Sequence, residues 1–432
     1  MSMYTQTTCT LVAMIAVFAL ASWKLRSPEI SMVITAIAGA LVGGFGFPVR
    51  LLGEGMFTYI DLALMFITAS VFINFYSEIG AINTLVRLFV GRFYERKWVL
   101  LSLLGVLMLI PGALTGAGTV SILVVGGLVS TVLTFLGFSP ARRAAFVFMM
   151  AILSAAAPPI NLWAMLMAAG ANMPYVGFDL VLLVPVLIVA AFTVFYLGRG
   201  TVACSKDEAL ASLPPIPEGM NWFRISAPLV ALVALILATK YAAHHIPVIG
   251  LPLTFVMCTL LTIAVDPARR KLRRWFEVLT TTVEQVFPLV ATLVSVGMLV
   301  NILAGTGVRG LIAITFVTLP ILAIYITALF FCPTAQGSLS YGSAVILGTP
   351  LIFRFNAIGA NVTVVAAALS LMFPLGDCLP PSRVVGRVTI DTVGYDGTYT
   401  SFLKAIAVPW LFLAAVALLM FVFPNRLAFL VQ

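Results

Sequence analysis

Charge is what this sequence lacks most. Only 9% of its 432 residues are Asp, Glu, Lys or Arg, and 62% are hydrophobic. Soluble domains carry about 25% charged residues. A soluble chain of this length could not hide so much apolar surface, so the composition excludes a cytosolic globular protein and leaves a polytopic membrane protein. Long apolar runs with short polar breaks leave room for roughly ten to twelve spans of about 20 residues. Strand alternation is missing, which excludes a barrel. Histidine is nearly absent: His244 and His245, at an expected extracytoplasmic helix end, are the only two. With no HExxH, no histidine cluster and no serine near a histidine in a span, nothing supports a membrane enzyme. The five cysteines (Cys9, Cys204, Cys258, Cys332, Cys378) form no CxxC pair. That argues against a disulfide framework or a transition-metal site, and no cofactor is expected beyond a coupling ion. A basic n-region is missing too, so "TLVAMIAVFALASW" reads as a first membrane helix, within 1–29, rather than a cleaved signal. The net charge of +9 comes with no basic-aromatic patch on a soluble domain, so nucleic acid is excluded as a partner.

What is present is a repeat. "SAAAPPINLW" (154–163) and "LMFPLGDCLPPSRVVGR" (371–387) both carry a double proline inside apolar sequence, and Pro158 stands 222 residues before Pro380. The same offset pairs Pro111 with Pro333, Ser121 with Ser343, Gly126 with Gly348 and Gly137 with Gly359. Further upstream it drifts to 227, pairing Asn74 with Asn301 and Gly80 with Gly307. The duplicated units are 30–200 and 247–432, joined by a polar linker and a connecting helix at 201–246. Seventeen of the 24 basic residues fall on one side of the expected spans and five on the other. The bias assigns the first side to the cytoplasm. "PVRLLGEG" of the first repeat then faces out, while its counterpart "DPARRKLRRW" faces in. The expected fold is therefore all-α, with two inverted-topology repeats, an arrangement common in secondary transporters.

Each repeat has two interruptions. The first is a polar tip between two short apolar arms, "PGALTGAGTVS" (111–121) and "CPTAQGSLSYGS" (332–343), which fits a re-entrant hairpin at about 98–136 and at about 320–358. The second is the double proline. Proline removes a backbone donor and pushes its predecessor out of helical geometry, so two in succession break the helix, within about 141–172 and about 361–394. Unwound backbone at membrane depth persists only where it is buried or lines a cavity. Its carbonyls suit a cation, and the half-helix that follows suits an anion. Among the residues at the breaks, Asp377 is the first choice for a carboxylate ligand to a hard cation, with carbonyls near Gly376 and Ala157 assisting. Arg383 stands in the first turn after the second break, where a lone cation is unfavourable. It either pairs with Asp377 or grips a substrate carboxylate, with Ser382 beside it and Asn161 as its repeat counterpart. Two further charges are candidates: Glu284, inside a span, and Asp61, near the outer loop and read as interfacial.

The order of "ALTGAGTV", "SPARRAAFVFMMAILSAAAPPINL", "FFCPTAQGS" and "GANVTVVAAALSLMFPLGDCLPPSRV" resembles the large membrane subunit of TRAP transporters, the DctM-like family of the ion transporter superfamily. The resemblance covers nearly the whole chain. It implies a scaffold domain and a mobile, elevator-type transport domain in a bacterial inner membrane. It also implies import of a small organic anion such as a C4-dicarboxylate, driven by sodium, with a small membrane subunit and a periplasmic substrate-binding protein as partners. Carried over residue by residue, it places ion sites at Thr115, Gly116, Gly118 and Pro158, and at Thr334, Gly337, Ser338 and Pro380. Gln336 and Ser338 become substrate contacts. Sodium and proton coupling both stay open, as do a stand-alone carboxylate carrier and a non-transporting scaffold subunit.

Overall fold

The computed structural model describes residues 3–201, 205–241 and 249–431; Cys204, His244 and His245 lie outside the described residues. Every described element is helical, as low-charge apolar runs require where only the chain itself can satisfy its backbone. Nine helices among the described residues are long and apolar enough to cross a membrane, fewer than the ten to twelve spans expected. The difference lies in half-length pieces such as Leu162–Ala171 and Val308–Thr318.

The first hairpin runs through Lys97–Thr115 and back through Gly118–Phe135. The second runs through Ile321–Leu339 and back through Ala344–Ala357. Each returning arm contains a π turn, Ile122–Gly126 in one and Ala344–Gly348 in the other, at the 222-residue offset of the sequence repeat. Such turns recur at functional sites. The first broken helix is Pro140–Ala156 and Leu162–Ala171. The second is Val362–Met372, a 3-10 turn Phe373–Cys378, and Val384–Val393. The Pro158–Pro159 and Pro380–Pro381 bonds are both cis. One backbone bond ties each break to its own hairpin: Ile160 N–H donates to the Ala113 carbonyl at 3.1 Å, and Ser382 N–H to that of Gly337 at 3.1 Å. Residues 160 and 382 are again 222 apart.

The helices sort into two bodies. In the scaffold body Pro28–Val42, Val49–Met56 and Ile60–Glu78 pack on the 34-residue helix Leu272–Gly305, with Met3–Leu25 against Pro28–Val42 and Leu251–Ala264 against Ile60–Glu78. The hairpin body packs both hairpins and both broken helices with Phe178–Gly198 and Tyr399–Val422. Two short arm helices, Ala81–Phe93 and Val308–Thr318, lead from one body to the other. Both arms follow a left-handed turn, at Gly80 (φ 84°) and Gly307 (φ 75°), that a side chain would resist. These are the residues paired by the 227 offset.

Contacts sort the loops by end. At one end Arg274 meets Glu78 at 2.9 Å, Lys97 donates to the Thr201 carbonyl at 2.7 Å and Arg87 to that of Leu210 at 2.9 Å. At the other, Asn301 donates to the Leu51 carbonyl at 2.6 Å, and Arg309 bonds the Gly170 carbonyl. Leu272–Gly305 links the two ends over about 50 Å. Residues 48–55 and their repeat counterparts 266–275 therefore sit at opposite ends, which is the inverted arrangement.

Candidate functional site

A cavity of about 280 Å³ lies between the two bodies. The scaffold wall comes from Pro28–Val42, Ile60–Glu78 and Leu272–Gly305; the opposite wall comes from both hairpin tips and the second break. Of the residues singled out in the sequence, Gly118, Gln336, Asp377 and Ser382 line it.

Asp377 sits in the 3-10 turn that ends the half-helix Val362–Met372, where the following prolines stop helical bonding. Its carboxylate accepts a hydrogen bond from Gln336 Nε2 at 2.9 Å. The orientation of Gln336 is fixed from behind. Its Oε1 accepts from Trp163 Nε1 at 2.9 Å and from the Ser343 hydroxyl at 2.9 Å. An indole N–H can only donate, so the amide nitrogen must face Asp377. Trp163 in turn stacks on Tyr341 (centroids 4.9 Å apart), whose hydroxyl donates to the Gly116 carbonyl at 3.1 Å. This chain ties the first hairpin, the first broken helix, the second hairpin and the second break into one polar network. Gly376 fits only because it lacks a side chain: a Cβ there would lie on the Pro333 carbonyl oxygen.

The other predicted residues build the tips and breaks and do not line the cavity. Thr115 bonds back to the Pro111 carbonyl at 2.8 Å, and Thr334 to that of Phe330 at 2.9 Å. Ser338 bonds the Thr334 carbonyl at 3.2 Å, and the Gly376 carbonyl accepts from Leu379 N–H at 2.8 Å. Ala157 is buried with its N–H on the Ser154 carbonyl at 3.2 Å; Pro158 and Pro380 shape the two breaks. Asn161 is fully buried, and its amide is committed. It accepts from Ala164 N–H, and donates to the Ala156 carbonyl and to Ser370 of the other broken helix, each at 2.9–3.0 Å. It clamps the two broken helices together rather than facing a solute. Arg383 lies over the Tyr399 ring, 4.8 Å from its centroid, and is not part of the cavity wall. Among the described residues, no ion pair joins it to Asp377. The physical reason is that Arg383 takes a left-handed conformation (φ 51°), just outside the helix it was expected to begin.

Several cavity residues were not singled out. Glu29, in the first turn of Pro28–Val42, accepts from the Thr292 hydroxyl at 3.0 Å and the Ser27 hydroxyl at 2.9 Å. Ser70 is fully buried on the cavity wall, and its hydroxyl has no partner among the described residues. Asn74 and Gln285 add two amides. Asn74 carried a signal, its pairing with Asn301; Glu29 follows Ser27 and Pro28 in the first turn of a helix, a pattern that does not by itself mark a site. Among the described residues, no lysine or arginine lines the cavity.

A second cavity of about 410 Å³ opens beside the first, toward the end that carries Arg270 and Arg274. Asn74, Leu123, Val124 and Gln285 line both. At its mouth Glu78 holds Arg274 and Arg270 at 2.9 and 3.4 Å. Glu284 is exposed on Leu272–Gly305 and lines neither cavity. Asp61 is exposed in the first turn of Ile60–Glu78, at the opposite end.

No known family profile matches the sequence, and no curated protein matches it. Solved structures do match. The Alcanivorax borkumensis YdaH transporter superposes with a TM-score of 0.64 over 89% of each chain, at 12% identity. Neisseria gonorrhoeae MtrF, described as illuminating a class of antimetabolite efflux pumps, gives 0.66 over 91% of this chain and 94% of its own, at 13% identity. The chain is thus a multi-pass membrane protein with the fold of a membrane transporter. Neither neighbour is described as a TRAP subunit, so the likeness extends to the transporter fold and no further.

Proposed function

We propose that this protein is a secondary active transporter that couples a cation held at Asp377 to the passage of a small organic anion, by elevator-type movement of the hairpin body against the scaffold. One observation carries the reading. Asp377 faces a cavity between two bodies with a neutral amide as its hydrogen-bond partner and, among the described residues, no basic residue in the cavity wall. A carboxylate at membrane depth costs several kcal/mol unless something neutralises it. A sodium ion or a proton would do so, and Ser382 and Ser340 supply further oxygens within the same cavity. An anionic solute meets two carboxylates there, Glu29 and Asp377, so it binds well only after a cation has arrived. That order of events is coupling.

The resemblance to TRAP subunits supplies the rest: a C4-dicarboxylate-like solute, import, a bacterial inner membrane, and the small subunit and periplasmic binding protein as partners. The test is uptake into proteoliposomes with sodium and proton gradients imposed separately. One gradient should drive solute accumulation, and Asp377→Asn should abolish that dependence. Accumulation unaffected by either gradient would remove the reading. A second reading, a solute carrying an amine, is favoured by the acidic, arginine-free lining; competition by amine-bearing compounds but not by dicarboxylates would select it. Export, the direction named for MtrF, would show as accumulation in vesicles of the opposite orientation.

A further inference from the structure

The central cavity and the vestibule beside it share four residues, and these come from the two bodies. Asn74 and Gln285 stand on scaffold helices, while Leu123 and Val124 belong to the π turn of the first hairpin. The scaffold side is polar and pre-oriented. Asn74 Nδ2 donates to the Thr282 hydroxyl at 3.0 Å and to Gln285 Oε1 at 3.3 Å. That leaves the Gln285 amide nitrogen and the Asn74 oxygen to face the opening. The hairpin side is apolar, and Leu123 is half exposed although it sits beside two amides. A π turn places it there: the extra residue in the turn breaks the regular helical bonding of the returning arm.

We infer that Asn74, Gln285, Leu123 and Val124 form a neck through which solutes and ions pass between the vestibule and the central cavity, with the two amides keeping the passage wetted. A constriction lined only by apolar side chains sheds water and becomes a barrier. Here one wall can replace the water that a polar group loses on entry. The other wall moves with the hairpin body, so displacement of the first hairpin would carry Leu123 across the amides. The neck gains its functional meaning from the transporter reading, but it is testable without any solute.

The experiment uses single cysteines in the full chain, with the native cysteines replaced. Leu289→Cys reports on the central cavity and Thr281→Cys on the vestibule. In sealed vesicles, a charged, membrane-impermeant thiol reagent is added from the side on which Thr281→Cys reacts. Leu289→Cys should react from that same side. Adding Gln285→Trp should slow that reaction at least tenfold and leave Thr281→Cys unchanged. Leu123→Trp, from the opposite wall, should do the same, and it serves if the first variant folds poorly. Asn74→Leu with Gln285→Leu should slow the charged reagent while a small neutral one still enters. Unchanged labelling of Leu289→Cys in both tryptophan variants would overturn the neck. Equal slowing of both reagents in the double leucine variant would overturn the role of the amides. Failed transport with intact labelling effects would instead count against the proposed function alone.

Discussion

Replacing Asp377 with asparagine isolates the charge from the shape. Both side chains have the same size, and the amide oxygen of the replacement could still accept the Gln336 N–H. In the ion-free protein the carboxylate is stabilised by one charge-assisted hydrogen bond, worth about 1.5–3 kcal/mol. Against that stands a desolvation penalty of several kcal/mol for a buried ion. The balance is unfavourable, so Asp377→Asn should make the ion-free protein more stable, by about 1–3 kcal/mol on the same grounds. The coupling cation should do the same for the wild type. A ligand at a hundred times its Kd adds about 2.7 kcal/mol of stability. The assay is thermal unfolding of purified protein across a sodium series at fixed pH and a pH series without sodium. Wild-type protein should gain stability along one of the two series, and Asp377→Asn should lose most of that gain while the remaining carboxylates, Glu29 among them, still titrate. The reasoning fails if the variant keeps the full ion-dependent gain, or if it is less stable than ion-free wild type.

Three further outcomes follow from the geometry. Asn161→Ala removes a helix cap and two further buried bonds, one of them to the other broken helix, and should cost about 2 kcal/mol or more in unfolding experiments. Gly376→Ala puts a methyl group on the Pro333 carbonyl; overpacking costs about 1–3 kcal/mol, and because the obstacle is backbone the loss of melting temperature and of ion-dependent stabilisation should appear together. Arg383→Gln loses a cation–π contact worth about 0.5–1 kcal/mol that Arg383→Lys can keep; neither change touches the cavity wall, so apparent solute affinity should stay within about twofold in uptake assays of both.

Much of this architecture was legible because its causes are local. A double proline breaks a helix wherever it stands, and a glycine and hydroxyl-rich tip between half-length apolar arms folds back. Hence the hairpins at 98–136 and 320–358 and the breaks near Pro158 and Pro380 could be read directly, and the 222-residue offset recurs in the π turns and in the backbone bonds at Ile160 and Ser382. The site was less legible. Asp377 and Ser382 stand out as polar residues beside a break, Gly118 and Gln336 come from the hairpin tips through the resemblance, and the fold gathers all four. Asn161 and Arg383 stand out for the same reason, yet Asn161 turns inward as a clamp and Arg383 turns away onto Tyr399. Sequence position placed these two beside the break but could not say which way each side chain points.

The sequence by itself determined that this chain crosses a membrane repeatedly as helices, that it is duplicated, and where its helices must stop, because apolar content, charge bias and proline act over a few residues at a time. Only the tertiary structure decided which polar groups share a cavity. Glu29 and Asp377 are 348 residues apart in the chain, and no local pattern links them. They line one cavity because the scaffold helices and the second break pack on either side of it, a matter of how two bodies fit and not of what either segment prefers alone.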